Sequence, residues 1–314
     1  MTENSSIWKH PVIFFITRSF ILMGMMLVFG GFGYSVSMFT AKALFGIDFL
    51  NNPDLINQMN NTQVIHALKY VQVVASIGLF VAPAWFFCRA LNTEPVEYLK
   101  LNRKTTVAEI VSAIMVMIAS MPVVSWMIYV NENVKFPPSL AQLEAELKLA
   151  ESTAAKLTEA FVKADNLNTL FVNIFVVALI PAISEEFLFR GALQNFLRHT
   201  FKHKHVAVIL TALIFSAFHG QFYGSLPRFA LGAVLGYAYL FTGNLWTGIA
   251  MHFFNNAIAV IMSYQGIQQL LPDYMKEGYV FEAWYINVGS AIACVLCLLL
   301  LRKVTFRRVW YNGE

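Results

Sequence analysis

Eight apolar windows, at residues 14–39, 64–88, 107–130, 169–193, 206–224, 226–242, 244–263 and 283–301, occupy most of this 314-residue chain. About 20 helical residues cross the hydrocarbon core of a bilayer, and most of the windows reach or approach that length. Backbone N–H and C=O groups find no water inside lipid, so segments of this kind close their hydrogen bonds internally, as helices. The expected fold is an all-α, polytopic membrane bundle of about eight transmembrane helices. With 58% hydrophobic and only 13% charged residues, the chain carries more apolar surface than a soluble core can hide. Its formal charge of +4 shows no nucleic-acid-binding pattern.

The basic residues report topology. With a cytoplasmic N-terminus, fourteen Lys and Arg residues fall in or beside cytoplasmic segments, among them Arg18, Arg89, Arg103, Lys104, Arg198, Lys202 and Lys204, against seven on the opposite face. That bias follows the positive-inside rule and predicts a multi-pass protein with both termini in the cytoplasm; a bacterial cell membrane is the expected setting. Lys69, inside the second window, is expected to snorkel to the outer end of its span. The first window runs past 20 residues without a clear small-residue cleavage site and reads as a retained anchor. Cys88, Cys294 and Cys297 offer no even framework of bridges; the last two read as small apolar residues of a span.

Three regions follow: 1–168 with three spans and an outer helix, 169–263 with four spans, and 264–314 with an outer loop, the last span and a basic tail. The polar segment 131–168 predicts an amphipathic helix over 139–164, opened by a capping box of Ser139 and Gln142. Its stripe is Leu140, Leu143, Leu147, Ala150, Ala154, Leu157 and Phe161, at spacings of three and four. Such a helix covers the outer ends of its own spans or acts as a lid. Thr106 and Glu109 form a second capping-box pattern. Gly232 with Gly236, and Gly220 with Gly224, have the small-xxx-small spacing that lets helices approach closely.

Chemistry concentrates in the middle region. Glu185 and Glu186 interrupt an apolar run, Arg190 follows, and the next windows bring in His219, His252 and Asn256. A charged Asp, Lys or Arg near the centre of a membrane helix costs about 2.5–3.5 kcal/mol on insertion scales, so such groups mark functional sites. The basic stretch 199–205 predicts a hairpin turn. Glu185 lies 17 residues before Lys202 and His219 lies 17 after it, which puts both at one height on antiparallel helices. Glu186 and Arg190, spaced i and i+4, share a face, while Glu185 is turned about 100° away toward the interior. A carboxylate held there without a full cationic partner is suited to act as a general base. His252 and Asn256 again share a face and can donate to a developing oxyanion.

These residues resemble the CPBP membrane proteases, the family of CAAX prenyl endopeptidases and Abi bacteriocin-immunity proteins. Glu185-Glu186-Phe187-Leu188-Phe189-Arg190 is similar to its EExxxR motif, Phe215-Ser216-Ala217-Phe218-His219 to its FxxxH and His252-Phe253-Phe254-Asn255-Asn256 to its HxxxN. The resemblance implies an eight-helix intramembrane endopeptidase opening toward the cytoplasm and acting on membrane-associated peptides or proteins, lipidated or not. Glu185, assisted by His219, would activate water; His252 and Asn256 would stabilise the oxyanion. Glu186 and Arg190 would hold the first helix in register, and Phe215 would pack against His219. Zinc held by Glu185, His219 and His252 with an open fourth position is the alternative to water activation without metal. The competing classes are a proton-coupled transporter, which commonly shows repeated halves not seen here, and a non-catalytic immunity or binding protein.

Overall fold

The computed structural model describes residues 11–271 and 283–312, with side chains from Val12 to Pro272's predecessor Leu271 and from 283 to 306. Lys9 and Lys276 and the side chains of Arg307 and Arg308, which enter the charge pattern, lie outside these. Helix α1 spans Pro11–Phe45, α2 Thr62–Ala90, α3 Val107–Glu132, α4 Ala141–Val162 and α5 Leu167–Phe201. Helix α6 spans Lys204–Phe218, α7 Ser225–Thr242, α8 Leu245–Met262 and α9 Trp284–Asn312. Every apolar window falls on one of these helices, and α4 is the helix of the polar segment. Among the described residues there is no strand, only an isolated bridge between Ala164 and Tyr264.

Six helices, α1, α2, α3, α5, α8 and α9, are long and apolar enough to cross a membrane. The chain is an integral, multi-pass membrane protein. Helix α6, of 15 residues, rises about 22 Å, less than the roughly 30 Å of the hydrocarbon core, while α7 has the 18 residues of α8 but is less apolar, with Pro227 and Arg228 in its first turn.

Prolines accompany three of the irregularities. The stretches Ile77–Val81 and Ile174–Leu179 are π-helical and immediately precede Pro83 and Pro181. A proline ring collides with the carbonyl four residues back, here Leu79 and Val177, and a wider turn relieves that clash. Pro122 is handled differently, inside the regular helix α3. The Ser290 hydroxyl of α9 donates to the Ala119 carbonyl at 2.6 Å and accepts from the Val123 N–H at 3.1 Å. It thereby replaces the ladder bond that the proline opens.

Four sequence expectations need correction. The window 206–224 is not one helix: α6 ends at Phe218, Gly220 takes φ +64°, and Phe222–Gly224 forms a 3-10 turn. Gly220 and Gly224 are therefore loop residues, and Gly220 supplies the left-handed conformation that turns the chain. The Ser139 and Gln142 capping box does not form. Pro138–Leu140 is a 3-10 turn without a side-chain cap, and Glu144 instead accepts from the Phe136 N–H at 3.2 Å. Leu140, just before α4, and Leu143 and Ala150 on it are exposed, and the sheltered stripe runs from Leu147 through Glu151, Ala154 and Leu157 to Phe161. Lys69 does not reach the surface; it is buried within α2. The capping box of Thr106 and Glu109 is present at the start of α3.

The chain divides into two compact units, one running through Asn102 and taking in Ser184–Ala207, the other taking Arg103–Ile183 and the residues from Val208 on. In the first unit α1 and α2 pack with their backbones close: a Cβ on Gly78 would meet the Phe29 carbonyl oxygen at 2.6 Å and the Gly33 Cα at 3.1 Å. Arg18 of α1 donates to the Ala90 carbonyl at the end of α2 at 2.6 Å, so the two run antiparallel. The C-terminal part of α5 joins them through the edge-on rings of Phe87 and Phe196.

In the second unit α3, α7, α8 and α9 enclose a core of Val116, Met117, Leu235, Met251, Leu298 and Leu301. Asn244 caps α8 by accepting from the Trp246 N–H and donates to Thr105 Oγ1 at 2.8 Å. The starts of α3 and α8 thus lie at the same end of this unit. At the other end Asn131, in the last turn of α3, donates to the Phe222 carbonyl at 3.1 Å and accepts from the Leu226 N–H at 2.8 Å.

Candidate active site

Helix α5 delivers the acidic residues, and the first unit holds the part that carries them. Arg190 Nη1 donates to Glu186 Oε1 at 2.7 Å, with both side chains at 0% exposure. Glu185 is half-buried, between the buried Ser184 and Glu186. From Phe187 to Gln194 the helix is π-helical. Such insertions recur at functional sites because they re-aim side chains. Neighbouring side chains hold this stretch firmly. The rings of Phe189 and Phe80 lie 6.1 Å apart, and Asn195 Nδ2 donates to the carbonyls of Tyr98 and Gly191, each at 2.9 Å.

The second unit holds the imidazoles. His219 follows the end of α6, and its Nδ1 lies 2.8 Å from the Phe215 carbonyl oxygen. A carbonyl only accepts, so Nδ1 carries the proton, and in the neutral ring Nε2 keeps its lone pair as a base. The Phe215 ring stands edge-on to both imidazoles, 4.9 Å from that of His219 and 6.1 Å from that of His252. Edge-to-face contacts at these distances fix relative ring orientation. Gly232 of α7 backs Phe215 closely, since a Cβ there would meet the ring at 3.1 Å and Ala212 Cα at 3.3 Å. Asn256, one turn after His252 on α8, is half-buried, and its Oδ1 accepts from Asn255 Nδ2 at 3.2 Å.

The structure thus pairs Glu186 with Arg190 in one unit and gathers Phe215, His219 and His252 in the other. The loop after His219 is anchored to the end of α3, the end remote from the starts of α3 and α8. With cytoplasmic termini that is the outer end, whereas the resemblance implies a cytoplasmic opening. Sequence reasoning did not single out Asn131, whose amide fastens this loop. A lone Asn at the end of a span looks the same whether it faces water or closes a loop. Among the described residues no group of three His, Cys, Asp or Glu side chains is placed to hold a metal ion.

Residues 167–258 match the family model described as type II CAAX prenyl endopeptidase Rce1-like. The similarity to that family is confined to this segment, under a third of the chain. The segment holds Glu185, Glu186, Arg190, Phe215, His219, His252 and Asn256 together, and leaves α1 to α4 and α9 outside. A Bacillus subtilis (strain 168) protein described as uncharacterized protein YpbD is 32% identical over 90 residues, 27% of this chain and 43% of that protein. The match therefore spans less than half of that relative's length. No solved structure matches the chain.

Proposed function

We propose that this protein is an intramembrane endopeptidase that hydrolyses peptide bonds of membrane-associated peptides or proteins, in the manner of a CAAX protease. The observation that carries the reading is that all three polar motifs fall within the one Rce1-like segment. The pinned tautomer of His219, which leaves Nε2 basic, supports it.

In this reading the Glu185 carboxylate, assisted by His219 Nε2, takes a proton from water as its oxygen bonds to the carbonyl carbon. General-base assistance of this kind contributes about 10²–10⁴-fold. The carbonyl electrons move onto oxygen, where His252 and the Asn256 amide donate hydrogen bonds to the developing charge. Collapse of the tetrahedral species breaks the C–N bond. The proton held by Glu185 passes to the departing amine, leaving a carboxylic acid that ionises. Glu186 and Arg190 keep α5 in register, and Phe215 orients both imidazoles. A bound zinc would supply Lewis-acid polarisation, but each step described belongs to side chains of the chain.

The test compares peptides cleaved in membranes carrying the parent protein with those carrying Glu185→Gln. Purified Glu185→Gln and His219→Ala should fold and lose cleavage by at least about 10²-fold. Cleavage retained in either variant overturns the assignment.

A further inference from the structure

We infer that the outer helix α4 is a positioning arm for the His219 loop, acting through Glu151, Gln221 and Arg228. Gln221 stands two residues beyond His219. Its Nε2 donates to Glu151 Oε1 of α4 at 3.0 Å, and its Oε1 accepts from Arg228 Nη2 of α7 at 2.7 Å. An amide has one end that donates and one that accepts. A carboxylate on one side and a guanidinium on the other leave it a single orientation. Both bonds are charge-assisted and so stronger than neutral ones.

Two further contacts seat α4 and its approach on the same loop. Lys148 Nζ lies 5.9 Å from the centre of the buried Tyr223 ring, and the rings of Phe136 and Phe222 lie 5.2 Å apart. The loop leaves His219 through Gly220 in a left-handed conformation, a joint with little stiffness of its own. The Phe215 carbonyl and ring orient the imidazole from the side of α6; on its other side the placement of His219 depends on what holds residues 221–226. Asn131 holds the Phe222 carbonyl and the Leu226 N–H, Ser216 Oγ holds the Ser225 carbonyl at 2.6 Å, and Glu151 holds the side chain of Gln221, two residues along the chain from His219. The polar helix that interrupts the spans is thus part of the apparatus that aims His219.

Only the catalytic readout rests on the peptidase reading. In the full-length protein in lipid nanodiscs, amide hydrogen exchange over residues 216–226 should quicken about tenfold in Glu151→Leu and Gln221→Leu, the loss of one charge-assisted hydrogen bond. It should stay at the parent rate in Glu151→Gln, whose amide oxygen accepts the same bond. Cleavage by the two leucine variants should fall about 10- to 100-fold in kcat, as for a slightly misplaced catalytic group, with KM within about twofold and recovery in Glu151→Gln. Unchanged exchange in the leucine variants, or a Glu151→Gln variant as fast as Glu151→Leu, overturns the inference. Should the parent cleave no peptide, the exchange comparison still decides. Should Gln221→Leu fail to fold, Glu151→Leu carries the test.

Discussion

Replacing Arg190 by methionine should destabilise the protein strongly, while replacing Glu186 and Arg190 together should not. At 2.7 Å two unit charges attract by about 6 kcal/mol at an effective dielectric of about 20. Against that stands a desolvation cost of several kcal/mol for each ion, and both side chains are fully buried. The pair is close to neutral as a whole, yet its halves depend on each other. Arg190→Met leaves the Glu186 carboxylate with its cation gone and should cost about 3–5 kcal/mol. At about 2–4 °C per kcal/mol, the lower figure lowers the unfolding midpoint by about 6–12 °C. Glu186→Met with Arg190→Met removes both charges and should return to within about 2 kcal/mol of the parent. Thermal unfolding in a mild detergent, followed by intrinsic fluorescence, reads all three proteins. A single variant as stable as the parent, or a double variant no better than the single, would refute the assignment of this pair to holding α5.

Ser290→Ala removes the hydroxyl that bridges Val123 and Ala119 beside Pro122 and should cost about 1–3 kcal/mol; an unfolding midpoint equal to the parent's would show that the bridge carries no stability. Gly232→Ala should push the Phe215 ring by a few tenths of an ångström, given a Cβ contact of 3.1 Å, and lower kcat with little change in KM; steady-state kinetics on one peptide checks this. On α4 the Lys148 ammonium bonded at 2.6 Å holds the Glu144 carboxyl below its ordinary value, and the carboxylate in turn raises Lys148. Glu144 then supports the fold above the ordinary carboxylate range and loses that support as pH falls through its lowered value. Lys148 supports it below the ordinary ammonium range and loses that support at higher pH. Proteolytic cutting within 141–162 should therefore be unchanged between about pH 5 and 9 and rise only in stronger acid or stronger base; a rise between pH 7 and 6 would contradict this. Dialysis against a chelator should leave cleavage intact, and loss restored by zinc would reassign Glu185, His219 and His252 as metal ligands.

Period and hydropathy alone carry the six long apolar helices, because a bilayer span must bury a long run of backbone and has few ways to do so. The turn between α5 and α6 was legible too, in the basic stretch that surrounds Lys202 with its φ of 56°. So was the shared helix face of Glu186 and Arg190, since an i, i+4 spacing puts two side chains together wherever the helix goes. The motifs name the candidate residues for the same local reason. The end of α6 at Phe218 was not legible, because Gly220 and Gly224 fit the small-xxx-small face of a continuing helix as well as they fit a loop. What stops the helix is a left-handed Gly220 and a loop held by Asn131 on α3. The burial of Lys69, the Ser290 bridge at Pro122, the Phe215 contact with His252 and the reach of Glu151 to Gln221 are all meetings of residues distant in the chain. Local pattern records the partners a residue meets on its own helix; which helix lies alongside is settled by packing of the whole, and those contacts belong to the tertiary structure.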